Sequence, residues 1–378
     1  MRIIWYEIRK LLDWKIISLV LLISVLFFEL FLSFDFDHFP NGRPKGDTFK
    51  VTKQMIDQYG TEMNEKEFQD FKETYQKEVD KAGDYLQSRD DFVEAGVTTY
   101  EQFKSMADGK EKLNELHNDI MFDKGIDVFW ELQSRESIME SYERKKEDFF
   151  KDTAHIHNSA WKQDIVKGSS LNAILPHFVY ENYNNLITMF AILIILTVMI
   201  VVGRVFITDQ QNYALHLQYT THIGRKLFKK KVIASMLTAF VITSVYIGVF
   251  LLLYAGNDPQ AFLQSSLRSF DAHTIHWLDM SFLQYIYLTI MAVYLLAFVA
   301  AAIAMFLSRA VNQYISLIGA QVPIAVVLIL LISEYLVSNL FGIAYPMYMT
   351  IGTYAGLLVL GVAILITRWR KERKMDIK

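Results

Sequence analysis

Cysteine is absent from all 378 residues, which excludes a disulfide framework, thiolate chemistry and Cys-ligated zinc. Proline is scarce, and none of the six falls between residues 62 and 153. No G-x-x-x-x-G-K-[ST] loop is present to cradle phosphates, and no G-x-G-x-x-G follows a strand. Gly109-Lys110 and Gly224-Arg225-Lys226 lack the preceding glycine. H-E-x-x-H and G-x-S-x-G are missing as well. The chain therefore carries no nucleotide site of that kind and no hydrolase centre, and it is not read as an enzyme. Asp152, His155 and His157, with His177 further on, are the nearest approach to a ligand set. They read as scattered surface residues, so no metal site is expected.

Hydrophobic residues make up 52% of the chain and charged ones 21%, and the two are segregated. The charge lies mostly in 35–184, and the long apolar runs lie in 16–34 and 185–367. About 20 apolar residues cross the hydrocarbon core as a helix. Six segments qualify: 16–34, 186–207, 232–254, 282–307, 314–336 and 347–367. The first follows Arg9, Lys10 and Lys15 as a signal peptide would. Its run is too long and its end too bulky, at Phe31, Leu32 and Phe34, so an uncleaved anchor is expected. The fold class is thus an all-α integral membrane protein of six transmembrane helices, with a large helical extracytoplasmic domain between helices 1 and 2. The domains divide as 1–34 (amphipathic N-terminal helix and first span), 35–184 (helical domain) and 185–378 (spans two to six, the cytoplasmic 208–231 loop and a basic tail).

Lys and Arg collect on the cytoplasmic flanks of spans. Six alternating helices put both termini and the 208–231 and 308–313 loops on one side. With Arg204 at the end of the second span included, that side has 17 Lys/Arg against 5 Asp/Glu. Segment 35–184 has 20 against 31, a net of −11, and loop 255–281 has one Arg against three Asp. The expectation is a multi-pass protein of a bacterial plasma membrane with both termini cytoplasmic. Lys229–Lys231 fit the same rule and need no nucleic-acid partner. Trp14 and Trp369 mark inner ends, while Tyr180, Tyr183 and Trp277 mark outer ones. In residues 1–13, Ile3, Ile4, Ile8, Leu11 and Leu12 alternate helically with Arg2, Glu7, Arg9 and Lys10, which predicts an amphipathic helix in the inner interface.

Residues 35–47, with Pro40, Gly42, Pro44 and Gly46, read as a linker. From 62 to 153 apolar residues recur at three, four and seven. Examples are Phe68, Phe71, Tyr75, Val79 and Leu86, and then Phe129, Leu132, Ile138, Met139 and Tyr142. A small helical bundle follows, either a solvated domain or a ligand- or partner-binding module. Two carboxylates fall within spans, Glu29 in the outer half of the first and Glu334 at the outer end of the fifth. A mid-membrane charge is costly, so both are candidates for a translocation path. Gly352 and Gly356, and the small residues from Ala297 to Ala304, permit close helix approach. Pro323 predicts a kink in the fifth helix.

The loop from Thr208 to Lys231 carries a polar start at Asp209, apolar Leu215–Leu217, Thr220-Thr221, Gly224, Arg225 and a basic entry to the next span. Tyr213, Leu217 and Thr220 stand at helical spacing, as in a short helix held against the cytoplasmic face. On these residues and on the whole-chain layout, the chain resembles the ABC-2 type permeases, the membrane subunits of ATP-binding-cassette exporters. Members commonly carry a Glu and then Gly-Thr early in this loop, where this chain has Asp209-Gln210-Gln211-Asn212. The resemblance implies that Asp209, Tyr213, Leu217, Thr220, Thr221, Arg225 and Lys226 meet a separate soluble ATPase subunit. It implies that ATP and Mg are bound there and that no cofactor is held in this chain. It also implies a second permease copy, as homodimer or heterodimer, surrounding membrane lipid, and export of a peptide, lipid, ion or toxic amphiphile. The alternative is a membrane sensor or assembly scaffold whose helical domain binds a ligand or partner.

Overall fold

The computed structural model describes residues 1–106, 111–168, 171–172, 175–213, 224–270 and 275–374. It is all-helical, with no strand among the described residues. Six of its helices are long and apolar enough to cross a membrane.

The chain opens with α1 (Arg2–Leu11) and α2 (Trp14–Phe31). Asp13 separates them, and its carboxylate accepts from the Lys15 and Ile16 amides as an N-cap for α2. A short α3 (Ser33–Asp37) leads to α4 (Gly42–Tyr59). Residues 42–47, read above as part of a linker, are therefore helical. Gly42 enters the helix at φ 78°, which a side chain would resist. Pro44 falls in the first turn, where its missing N–H has no helical partner to lose. The pattern of glycine and proline marked a helix start rather than a disordered stretch.

Next come α5 (Glu65–Gln87), α6 (Asp90–Glu94), α7 (Tyr100–Met106), α8 (Glu111–Asn118), α9 (Asp127–Asp152) and α10 (Ser159–Lys167). The capping box Asn64–Glu67 starts α5, with each side chain meeting the other residue's amide. Helix α9 packs along both α4 and α5. The Phe68 and Tyr142 rings stack at 4.1 Å between α5 and α9. A second apolar cluster joins the end of α5 to α6, α7 and the start of α9 around Phe92, Phe103 and Phe129. The core of α4, α5 and α9 runs without interruption into that of the long apolar helices.

The remaining helices are α11 (His177–Val202), α12 (Arg204–Gln211), α13 (Leu227–Tyr254), α14 (Phe282–Ala310), α15 (Tyr314–Leu331) and α16 (Met347–Lys374). A π turn, Ile332–Leu336, closes α15, and Pro323 lies inside that helix. Helices α11 and α14 form the centre, and α13, α15 and α16 pack around them. The α11 span is 83% buried and the α2 span 0%. Helix α2 thus lies against one flank of α11 as an outlying strut. Small residues bring α14 and α16 together: a Cβ on Gly361 would meet Ala302 Cβ at 3.8 Å. A Cβ on Gly352 or Gly356 would meet nothing within 4 Å, so that small-residue face is open, whereas the alanine run of α14 is buried.

Candidate functional site

The 208–231 segment is described as far as Tyr213 and again from Gly224. Leu217, Thr220 and Thr221 lie outside the described residues, and so does the side chain of Arg225. What can be built is the base of the segment, and it is ionic.

Gly203 ends α11. A Cβ there would lie 2.5 Å from Gln321 Nε2 and 2.7 Å from the Met199 oxygen. With no side chain in the way, Gln321 Nε2 donates to that carbonyl at 3.0 Å and ties α15 to the corner. Helix α12 then begins with amide donors that have no partner in their own helix. Ser308 Oγ of α14 accepts two of them, from Phe206 and Ile207, each at 3.1 Å. Arg204 donates to Asp13 at 2.8 Å, and the Thr208 and Tyr314 hydroxyls share a hydrogen bond of 2.9 Å. Burial pushes the Asp13 carboxyl up, but the Ile16 amide and the Arg204 guanidinium outweigh it and hold it below the usual carboxylate range.

Within this frame Asp209 turns inward. It is 5% exposed and accepts from Lys231, itself 2% exposed, and from Lys10 of α1. Lys231 Nζ also donates to the Val205 carbonyl at 3.4 Å and stands 5.3 Å from the centroid of Phe206. Lys10 reaches Glu7 at 3.6 Å. One carboxylate thus fastens three elements: the end of α12, the start of α13, and α1. The two ends of the loop meet at a single buried ion cluster. Helix α1 does not rest on lipid alone, because its Glu7–Lys10–Leu11 face docks on α12 and α13. Among the described residues of this base, the ionisable groups are engaged with one another. The arrangement can hold the loop and α1 as one mechanical unit.

Of the residues the sequence singled out, Asp209 serves this cluster, Tyr213 is 81% exposed at φ 54°, and Lys226 is exposed in a 3₁₀ turn. Glu29 lines a lateral groove between α2, α11 and α13, whereas Glu334 is exposed in the π turn and does not line that groove. The structure does not bring these two carboxylates together. Among the described residues no three His, Asp or Glu side chains converge as metal ligands.

Two aromatic residues expected at an interface lie instead in a buried polar network. Tyr180 and Tyr183 are 1% and 0% exposed. The Tyr180 hydroxyl lies 2.9 Å from His276 Nε2, 3.1 Å from the Tyr285 hydroxyl and 3.2 Å from Asn339 Oδ1. Tyr285 donates to Asn184 Oδ1 at 2.8 Å and accepts from the Leu340 amide at 3.2 Å. Tyr183 pairs with Thr289. The network locks the chain after the π turn onto α11 and α14. Its sequence signal was polar residues at helical spacing inside spans, namely Tyr180, Tyr183 and Asn184, with Tyr285 and Thr289 opposite.

A second ion pair closes the same end of the bundle as the loop. Arg309 Nε donates to Glu372 at 2.9 Å, with both side chains buried, and joins α14 to α16. No family model, curated protein or solved structure matches this chain.

Proposed function

We propose that this chain is the permease subunit of an ABC exporter of the ABC-2 type, in a bacterial plasma membrane with both termini cytoplasmic. A separate ATPase would dock on the 208–231 segment, and two permease copies would form the conduit. The observation that carries the reading is the cluster of Asp209, Lys231 and Lys10. A push on the loop would pass directly into α1, α12 and α13 because one buried carboxylate holds all three. Helices α12 and α13 abut α14 and α11, so such a push would reach the centre of the bundle. The basic residues on this end of the spans and the lack of a phosphate loop in the chain agree with a separate energy source.

The test is an affinity pull-down of the tagged chain from its native membrane, with mass spectrometry of what accompanies it. Stoichiometric recovery of a soluble protein bearing a phosphate loop supports the permease. Recovery with no ATPase, or with a kinase in its place, overturns it in favour of a sensor or scaffold. Arg225→Glu is expected to reduce ATPase recovery at least about tenfold, the scale of one or two lost charge-assisted contacts, with insertion unchanged. Undiminished recovery would remove Arg225 from the contact.

A further inference from the structure

A lateral groove beside α2 carries Glu29. It encloses about 560 Å³ between one face of α2, the Phe190–Val201 stretch of α11 and the Val241–Val249 stretch of α13. Its lining residues on α2 run from Ile16 to Glu29 at intervals of three and four, a length of about 20 Å at 1.5 Å per residue. The walls are aliphatic and aromatic except at two levels. Midway, Ser24, Thr197 and Tyr246 are joined by hydrogen bonds to one another, so these polar groups are already satisfied. At the end beneath the helical domain stands Glu29, whose carboxylate pairs with no basic group among the described residues.

The chain leaves the groove at Leu32 and, from Phe34, lines a second cavity. Leu32 lines the groove, and Phe34 and Asp35 line a space of about 160 Å³ together with Glu181, Asn182 and Lys45. Burial and the nearby Glu181 raise the Asp35 carboxyl above its usual range, with Lys45 opposing them. The two linings together hold three carboxylates, Glu29, Asp35 and Glu181, against Lys45 and His38. An apolar channel of acyl length ending in surplus negative charge is complementary to a single kind of molecule.

We infer that this groove binds a cationic amphiphile, with its chain along α2 and a primary ammonium head between Glu29 and Asp35. A carboxylate in apolar surroundings is stabilised most by a cation that also hydrogen-bonds to it. Anionic and zwitterionic phospholipids would bring a phosphate against the three acids. A second copy of the chain, packed here about a two-fold axis, would bring a second Glu29 with it. Combined with the exporter reading, on which it rests only for this step, the inference names the cargo class. Binding itself needs no ATPase, so the two ideas fail separately.

The test uses the full chain in phosphatidylcholine nanodiscs and a dodecylamine bearing a diazirine in its tail. The probe is compared with its neutral N-acetyl derivative. After photolysis, peptide mapping should place the amine on α2, α11 and α13, with labelling about tenfold above the N-acetyl probe, as one charge-assisted contact implies. Unlabelled dodecylamine should compete, and N-acetyl dodecylamine should not. Glu29→Gln, at an exposed position, should erase the preference for the amine. Val245→Trp should block the tail and lower both probes. Equal labelling by both probes on the unaltered chain would mean an ordinary lipid-facing surface and overturn the proposal. Protection of the groove by a second, crosslinked chain would overturn it too.

Discussion

Replacing Lys231 by methionine should damage the protein more than its position beside a basic loop implies. Its ammonium is buried against Asp209 at the point where α12, α13 and α1 meet. Removing one member of a buried pair costs about 3–5 kcal/mol, because the partner remains charged in a poor solvent. Lys10 stays beside Asp209 and softens the loss, so Lys231→Met should cost about 3 kcal/mol. Asp209→Asn should cost more, about 4–5 kcal/mol, since it leaves both lysines facing an amide. The double variant, Asp209→Asn with Lys231→Met, removes both buried charges and should recover about 2–3 kcal/mol relative to the sum of the singles. Reversible unfolding by steric trapping in bicelles measures all four corners of the cycle. If the singles fall within about 0.5 kcal/mol of the parent, as surface substitutions do, the pair is not buried in the membrane-embedded protein. Additive singles would show that the two groups do not interact. Either result would remove the mechanical unit on which the permease reading leans.

Gly203→Ala should destabilise the chain by about 1–3 kcal/mol, because its Cβ would occupy the space of the Gln321 amide. Adding Gln321→Ala should recover part of this, and thermal unfolding in nanodiscs would show it. Lys145 of α9 carries its ammonium 3.2 Å from the Tyr142 ring centroid, and burial pushes its pKa down to about 8. The unfolded chain, with a lysine at its ordinary value of 10.5, binds more protons across that window. Stability should therefore rise as the pH goes from about 8 to 10.5, and Lys145→Met should abolish that rise. At pH 7 the same variant should be more stable by about 1 kcal/mol, the lower end of the cost of a buried polar group without a hydrogen bond. A flat profile in the parent, followed by intrinsic fluorescence, would contradict the burial of Lys145.

The six spans were legible because a lipid-crossing helix must be apolar over its whole length, whatever it packs against. The second reads short, at 186–207, since Tyr180 and Tyr183 mark an outer interface. In the structure α11 begins at His177, and those hydroxyls find partners on α14, Tyr285 and Thr289. A buried hydroxyl with a partner on another helix leaves no trace in local hydropathy. Helix α4 (Gly42–Tyr59) went unread: it ends before the periodic stretch that starts at 62, and Gly42 and Pro44 carry opposite meanings inside a loop and at a helix start. The loop base shows the same limit. Lys231 and Asp209 were legible as charges, but not as partners, since 22 positions separate them. Lys10, 199 positions away from Asp209, was beyond any local pattern.

The distance along the chain between Lys10 and Asp209 also dictates an order of events during synthesis. Helices α1 and α2 leave the ribosome well before the carboxylate that holds Lys10, which emerges some two hundred residues later, with Lys231 after that. Until then α2 has little but lipid around it, which its almost wholly apolar surface tolerates. Helix α1 can wait at the bilayer surface with Trp5 and Tyr6, both exposed in the finished protein, turned toward lipid headgroups. Helix α1 is thus made long before it is fastened. A nascent chain halted before the third span would keep its leading helix undocked, and quality-control proteases would find it there.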